Sequence, residues 1–197
     1  MQDILVVDNL ISEEMQNAIE ETLFSSNFPW YFMQDVTYSD KDGSPAFFHL
    51  FKDRTETNSS FVSCLLPIVS SAKEKAGFSQ NVIYHARTFV QLPLNPNVLK
   101  TETDLLHIDT PIPHTVVLYY VCDSDGDTII VNKKYDGIVN EKSLLEKDFE
   151  KLARVTPKKG RAVIFDGAYY HTAEQPTKSK KRCVINIDMV SNDTSIR

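Results

Sequence analysis

Cysteine is scarce. Cys64, Cys122 and Cys183 are the three in 197 residues, and no two of them form a C-x-x-C pair, so neither a disulfide framework nor a cysteine zinc site is expected. That usage fits a reducing cytoplasm. Long apolar runs are missing as well: no stretch approaches the roughly 18 residues that a spanning helix needs. The Met1-Gln2-Asp3 start lacks a basic n-region, so secretion and membrane insertion are not expected. Positive charge is in deficit, with 21 Lys and Arg against 27 Asp and Glu and a net charge of -6, which argues against gripping nucleic acid by general phosphate neutralisation. The one basic run, Lys178, Lys180, Lys181 and Arg182, reads by itself as a solvated turn between strands. No repeat or low-complexity stretch is visible. What remains is an ordinary globular composition in a chain long enough for one well-buried core and too short for two, so a single domain over 1–197 is expected.

Helical signals concentrate in the first eighty residues. After a short strand at 4–7, Ser12 caps a helix whose apolar positions Met15, Ala18, Ile19 and Leu23 follow the 3.6-residue period, with Glu13 and Glu14 favourable in its first turn. A second helical pattern from Asn58 to Ala76 ends at Gly77, and Pro67 should kink or split it. Between them, residues 28–52 scatter aromatics among turn formers such as Asp42-Gly43 and read as loop or edge strand. Residues 28–56 are also a candidate substrate-facing lid. From Val82 the period switches to two, with runs VIYHARTFVQL, TVVLYYV, DTIIV, RAVIFD and CVINIDMV separated by turn residues. The exception is SLLEKDFEKLA at 143–153, which reads as a short helix or irregular insertion. Helices packed on an antiparallel sandwich or barrel are the expected architecture.

The chemistry-bearing pattern is His107-Ile108-Asp109 followed, far along the chain, by His171 and then Arg182. Residues i and i+2 of an extended segment share a face, so His107 and Asp109 can address one ion while Ile108 packs the other way. His171 follows a buried-looking strand running into a turn and can supply a third ligand. Two imidazoles and one carboxylate occupy one face of an octahedral metal and leave the other open, which is the ligand set of non-haem Fe(II) oxygenases. Taken singly, each residue has a bland reading: His107 as a surface or core histidine, and Asp109 before Thr110-Pro111 as a turn former. The combination carries the case. His49 and His85 lack that context and are read as structural, and His114 as at most a residue of the site mouth.

With those residues in place, positions 82 to 190 resemble the 2-oxoglutarate-dependent Fe(II) oxygenase superfamily, specifically its prolyl 4-hydroxylase-like branch. LLHIDTPIPHTVVLYYV, DSDGDTIIV, TPKKGRAVIFDGAYYHTAEQP and KKRCVINID match the order and spacing of its motifs. The resemblance implies a double-stranded β-helix, a cupin-like jelly roll, over 82–190, with 1–80 as helical support. It implies His107, Asp109 and His171 as metal ligands and catalytic centre. Arg182 would pair with the far carboxylate of 2-oxoglutarate through a planar fork of donors, with Tyr120 and Thr128 beside it and Lys180 and Lys181 as neighbouring alternatives. Arg182, Val184 and Asn186 would face the interior, and Cys183, Ile185 and Ile187 the packed outer side. Departures are Cys122 where an asparagine is frequent, Asp125-Gly126 for Gly-Gly, and Leu92 where a tyrosine is frequent.

The activity implied is a dioxygenase using Fe(II), 2-oxoglutarate and O2, releasing succinate and CO2 while hydroxylating a C–H bond of a peptidyl, proline-like residue. The partner is then a peptide, a protein or a small molecule, with no membrane. Because Asp109 is a carboxylate, hydroxylation is favoured over the halogenation found where a small residue stands there. A nucleobase oxygenase is the enzymatic alternative, but its second arginine, six positions after the first, is Asp188 here. A small-metabolite oxygenase stays open. A non-catalytic cupin-like protein holding zinc is the alternative of another class, though such a site has no need of Arg182.

Overall fold

A computed structural model of the chain describes residues 3–36, 44–95, 103–137, 144 and 146–192. Eleven strands and two α-helices are assigned among them: β1 (Ile4–Val7), α1 (Glu13–Leu23), β2 (Tyr31–Met33), β3 (Ala46–Asp53), β4 (Glu56–Thr57), α2 (Leu66–Ala76), β5 (Val82–Gln91), β6 (Thr115–Tyr120), β7 (Thr128–Lys134), β8 (Lys151–Val155), β9 (Ala162–Asp166), β10 (Tyr169–Ala173) and β11 (Arg182–Val190). The large sheet runs β1-β9-β6-β11-β5-β3-β2 with β4 on β3, and the small sheet runs β10-β7-β8. Every pairing is antiparallel.

Strand alternation divides the core. One face of the large sheet sends Ala86, Val90, Val117, Ile164, Cys183, Ile185 and Ile187 against Ile19 and Leu23 of α1 and Ile68 and Ala72 of α2. The opposite face sends Val116, Leu118, Tyr120, Val163, Phe165 and Val184 against Ile130, Val155 and Tyr169 of the small sheet. Ile164, Phe165, Ile185 and Ile187 are completely buried, each worth roughly 1.5–3 kcal/mol of apolar burial. β11 lies at the middle of this arrangement and is buried along its whole length. Its even positions Arg182, Val184 and Asn186 line an internal cavity, while Cys183, Ile185 and Ile187 pack under the helices.

Three readings of the sequence are corrected. In α1 the buried stripe is Gln16, Ile19 and Leu23, and Met15 is exposed. Gln16 is drawn in because its amide donates to the Ile11 carbonyl at 2.9 Å and lies over Gly160, where a Cβ would sit 2.4 Å from it. The stretch 28–52 is more regular than its composition suggests, since β3 is an interior strand between β5 and β2; positions 37–43 of that stretch, with Asp42-Gly43, lie outside the described residues. The segment 143–153, expected as a short helix or irregular insertion, is a short 3-10 turn, Glu146–Asp148, leading into β8; Ser143 and Leu145 lie outside the described residues. The second helical pattern is split at Pro67 into a 3-10 turn, Ser60–Leu65, and α2, and Gly77 closes α2 in the left-handed conformation at φ 66°. Among the described residues, no helix is long and apolar enough to cross a membrane.

Candidate metal and cosubstrate site

The extended segment around His107 runs antiparallel to β10, and His107 and His171 stand directly opposite each other. They exchange both main-chain hydrogen bonds, His107 N to His171 O at 3.0 Å and His171 N to His107 O at 2.9 Å. A hydrogen-bonded antiparallel pair places the two side chains side by side, and the ring centroids are 4.5 Å apart. In each ring Nδ1 faces a carbonyl oxygen, that of Leu105 at 3.0 Å for His107 and that of Tyr169 at 3.3 Å for His171. A carbonyl only accepts, so Nδ1 carries the hydrogen and Nε2 of each neutral ring presents a lone pair. Such outer hydrogen bonds orient metal-binding imidazoles.

Asp109, two positions beyond His107, completes the set: one ligand atom from each of the three residues lies within 4.8 Å of the others. Its two oxygens are treated differently. Oδ1 accepts from Arg87 Nη2 at 2.7 Å and from Asn186 Nδ2 at 3.0 Å. Oδ2 is buried without a hydrogen-bond donor and lies 3.4 Å from His171 Nε2. Burial alone would raise the Asp109 pKa, but His171 and Arg87 hold it well below the carboxylate range. Burial lowers the His107 pKa to about 4, with His171 adding to the effect. Burial also opposes charge on His171, yet the attraction of Asp109 outweighs it and moves that pKa up. A carboxylate that draws a proton onto its neighbour draws a metal cation into the same position. Two inward lone pairs and one unsatisfied anionic oxygen therefore suit a divalent first-row metal.

The three residues share one cavity of about 180 Å³ with Arg182, Thr128, Gln91, Phe89, Leu118 and Val184. Arg182 is 3% exposed. Its Nε donates to Gly126 O at 2.7 Å, Nη1 to Gln91 Oε1 at 2.9 Å and Nη2 to Thr128 Oγ1 at 2.8 Å. Three of its five N–H groups are thus committed to neutral acceptors, and one on each terminal nitrogen is left over. Burial lowers its pKa, although a guanidinium stays charged in proteins. A buried cation with neutral hydrogen-bond partners and a spare pair of donors suits a carboxylate arriving through the cavity.

No family model matches the sequence, and no curated protein matches it. Solved structures do. The non-haem alpha-ketoglutarate-dependent epimerase SnoN from nogalamycin biosynthesis is 12% identical with a TM-score of 0.68, over 96% of this chain and 78% of that one. HygX from Streptomyces hygroscopicus, with nickel, 2-oxoglutarate and hygromycin B bound, is 12% identical with a TM-score of 0.64, over 97% and 84%. A 2OG-Fe(II) oxygenase family oxidoreductase from Burkholderia pseudomallei is 10% identical with a TM-score of 0.63, over 95% and 85%. The chain has the fold of these 2-oxoglutarate-dependent proteins.

Within that fold the other expected site residues fall in different places. Thr128 lines the cavity and is held by Arg182. Tyr120 is completely buried behind the lining, its hydroxyl donating to the Val155 carbonyl at 3.4 Å, and burial pushes its pKa up to about 12. Lys180 is exposed, and Lys181 places its ammonium 3.8 Å from the centre of the Phe24 ring, away from the cavity. His49 is held between Pro29 O and Ser59 Oγ. His114 is buried against Gly167, where a Cβ would meet its ring at 2.0 Å.

Four residues of the site escape a reading of the sequence alone: Arg87, Gln91, Asp104 and Asp188. Gln91 bridges Arg182 and Asp104, accepting from the first and donating to Asp104 Oδ2 at 3.0 Å. Asp104 also accepts from Gln175 at 3.2 Å, and burial raises its pKa. Asp188 lies 3.6 Å from Arg87 and 3.5 Å from His85, buried beneath Asp109. The period-two parity of β5 would have placed Arg87, Phe89 and Gln91 on the cavity side. It also makes Gln91, and not the half-exposed Leu92, the residue facing Arg182.

Proposed function

We propose that the protein is a 2-oxoglutarate- and Fe(II)-dependent dioxygenase that hydroxylates a C–H bond of a small molecule. The observation that carries the reading is one cavity holding both an N2O ligand set with an unsatisfied carboxylate oxygen and a buried arginine with two spare donors. The solved structures of the same fold support it, since SnoN is known with Fe3+ and alpha ketoglutarate and HygX with nickel and 2-oxoglutarate. When bound, the metal, 2-oxoglutarate and O2 supply the oxidation of a C–H bond, coupled to decarboxylation of the cosubstrate to succinate and CO2.

The chain's own residues bind and orient. His107 and His171 would offer Nε2, and Asp109 would offer Oδ2, while Arg87 and Asn186 hold Oδ1 and so fix the carboxylate plane. Arg182 would take the far carboxylate of 2-oxoglutarate, with Gln91, Thr128 and the Gly126 carbonyl holding the guanidinium in plane. Leu118 and Val184 line the cavity between the two ends and exclude water.

A small-molecule substrate is supported by the ligands in the solved structures, hygromycin B in HygX and nogalamycin RO in SnoN. A peptidyl, proline-like substrate, implied by the sequence resemblance, is the competing class. The test is anaerobic loading with Fe(II) and then 2-oxoglutarate, monitored for a weak visible charge-transfer band, followed by admission of air and assay of succinate. Both signals are expected. Their absence from folded, iron-loaded protein sinks the reading, and succinate release stimulated only by proline peptides restores the competing substrate.

A further inference from the structure

Asn186 carries a signal that the cofactor chemistry does not use. Its side chain is 7% exposed and lines the cavity beside Asp109. The amide orientation follows from its contact: Nδ2 donates at 3.0 Å to Asp109 Oδ1, the same carboxylate oxygen that accepts from Arg87 Nη2. Oδ1 is therefore the opposite, acceptor end, and it is buried with no hydrogen-bond partner. An orphaned buried carbonyl costs roughly a lost hydrogen bond unless something supplies a donor. The carboxylate and oxo groups of 2-oxoglutarate are acceptors, so the cosubstrate cannot satisfy it. A donor must come from a water in the cavity or from the substrate.

A second observation comes from the strands beyond. The cavity face of the large sheet continues outward from Arg87 and Phe89 of β5. In register, Leu50 lies opposite Arg87 and Phe48 opposite Phe89 on β3, and Tyr31 opposite Phe48 on β2. Phe89 lines the cavity, Phe48 and Leu50 are half-buried, and Tyr31 is 57% exposed. The Tyr31 and Phe48 rings are 6.1 Å apart and tilted. Strand pairing thus carries an aromatic row from Phe89, in the reactive cavity, to Phe48 and Tyr31, which line a separate groove farther out on the sheet.

We infer that the substrate is a ring compound carrying a hydroxyl or amine, with that donor hydrogen-bonded to Asn186 Oδ1 and a ring face laid on Phe89, Phe48 and Tyr31. This rests on the dioxygenase reading above. The donor sets which C–H bond comes to the metal, because a hydrogen bond to Asn186 fixes the adjoining carbon beside Asp109. A proline peptide offers no such donor from its tertiary amide, and a fatty chain offers neither donor nor ring.

The test is calorimetric binding to protein loaded with nickel(II) and 2-oxoglutarate, where no turnover occurs. The probes are aryl glycosides and aminocyclitols, their O-methylated or N-acylated counterparts, proline-containing peptides and a medium-chain fatty acid. Hydroxylated or amino ring compounds are expected to bind at least tenfold more tightly than their blocked counterparts. That preference should vanish in Asn186→Ala, and Phe48→Ala and Tyr31→Ala should each weaken ring binding about tenfold. The affinity for 2-oxoglutarate itself should be unchanged in the two aromatic variants. Should Asn186→Ala also release nickel, the Phe48→Ala and Tyr31→Ala pair decides. Binding confined to peptides or the fatty acid, equal binding of blocked and free compounds, or no ring compound bound at millimolar concentration overturns the inference. Failure of 2-oxoglutarate to bind the nickel-loaded wild type instead overturns the dioxygenase reading on which it stands.

Discussion

Replacing Gly126 by alanine tests the cosubstrate anchor without replacing a side chain that reaches the cavity. A Cβ built at this position would sit 2.6 Å from the Glu174 carbonyl oxygen, 2.9 Å from Arg182 Cδ and 3.2 Å from Pro176 N. Two of these three neighbours are main chain in the segment that follows β10, so the strain falls on the loop or on Arg182. The Gly126 carbonyl also accepts from Arg182 Nε at 2.7 Å, and moving it away costs the guanidinium one of its three fixed partners. Overpacking of this kind costs about 1–3 kcal/mol of stability. A charge-assisted hydrogen bond lost from a misaligned fork costs about 1.5–3 kcal/mol, or on the order of 10- to 100-fold in binding. The expected result for Gly126→Ala is a 10- to 100-fold rise in the KM for 2-oxoglutarate, read from succinate release, with nickel affinity by calorimetry unchanged. A variant that is folded and binds 2-oxoglutarate as tightly as the wild type would refute the role given to the Arg182 cradle.

Three further outcomes are expected. Asp109→Ala removes the carboxylate of the His107, Asp109 and His171 set and should abolish stoichiometric nickel binding, and retention of wild-type affinity by calorimetry would dismiss it as a ligand. Gln91→Glu places a carboxylate where Arg182 now meets a neutral acceptor at 2.9 Å; internal pairing should then compete with the cosubstrate and raise its Kd at least tenfold, whereas an unchanged Kd means the two spare donors are not the binding fork. Asp125 accepts from the main chain of Thr177, Lys178 and Ser179 at 2.8–3.3 Å; against the opposing effect of burial, these donors hold its pKa below the ordinary carboxylate value. A depressed carboxylate contributes stability that is fully present above its unfolded pKa and lost as pH falls through its folded one. Asp125→Asn should therefore lower the Tm at pH 6, by about 2–4 °C per kcal/mol in a domain of this size, and the gap to wild type should close toward pH 2; a gap constant with pH contradicts that account.

The legible parts of this molecule are those where a strict period meets a buried face. The inward parity of Arg182, Val184 and Asn186 could be read because β11 is buried on both sides and tolerates no slip of register, and the shared direction of His107 and Asp109 because i and i+2 of an extended segment lie on one face. The strand β8 could not. It is an edge strand with Lys151 and Arg154 exposed, where Arg154 pairs with Asp127 at 2.7 Å and with Glu174 at 2.5 Å, and charges three positions apart imitate the spacing of a solvated helix. Gln16 displaced Met15 from the core because Gly160, far away in sequence, left room for an amide. Gln91 and Asp104 were invisible for a similar reason: their roles arise from each other and from Arg182, and no single segment contains the pattern.

The reciprocal main-chain bonds between His107 and His171 have a bearing on how the site is assembled. The gap between the imidazoles is inherited from the peptide backbone of adjoining segments, so it is established when the strands zip up and does not wait for an ion. Metal uptake then needs no folding step and little rearrangement. The amide protons of these two residues should resist solvent exchange together, at a rate governed by separation of the segment from β10 and not by the occupancy of the centre they flank.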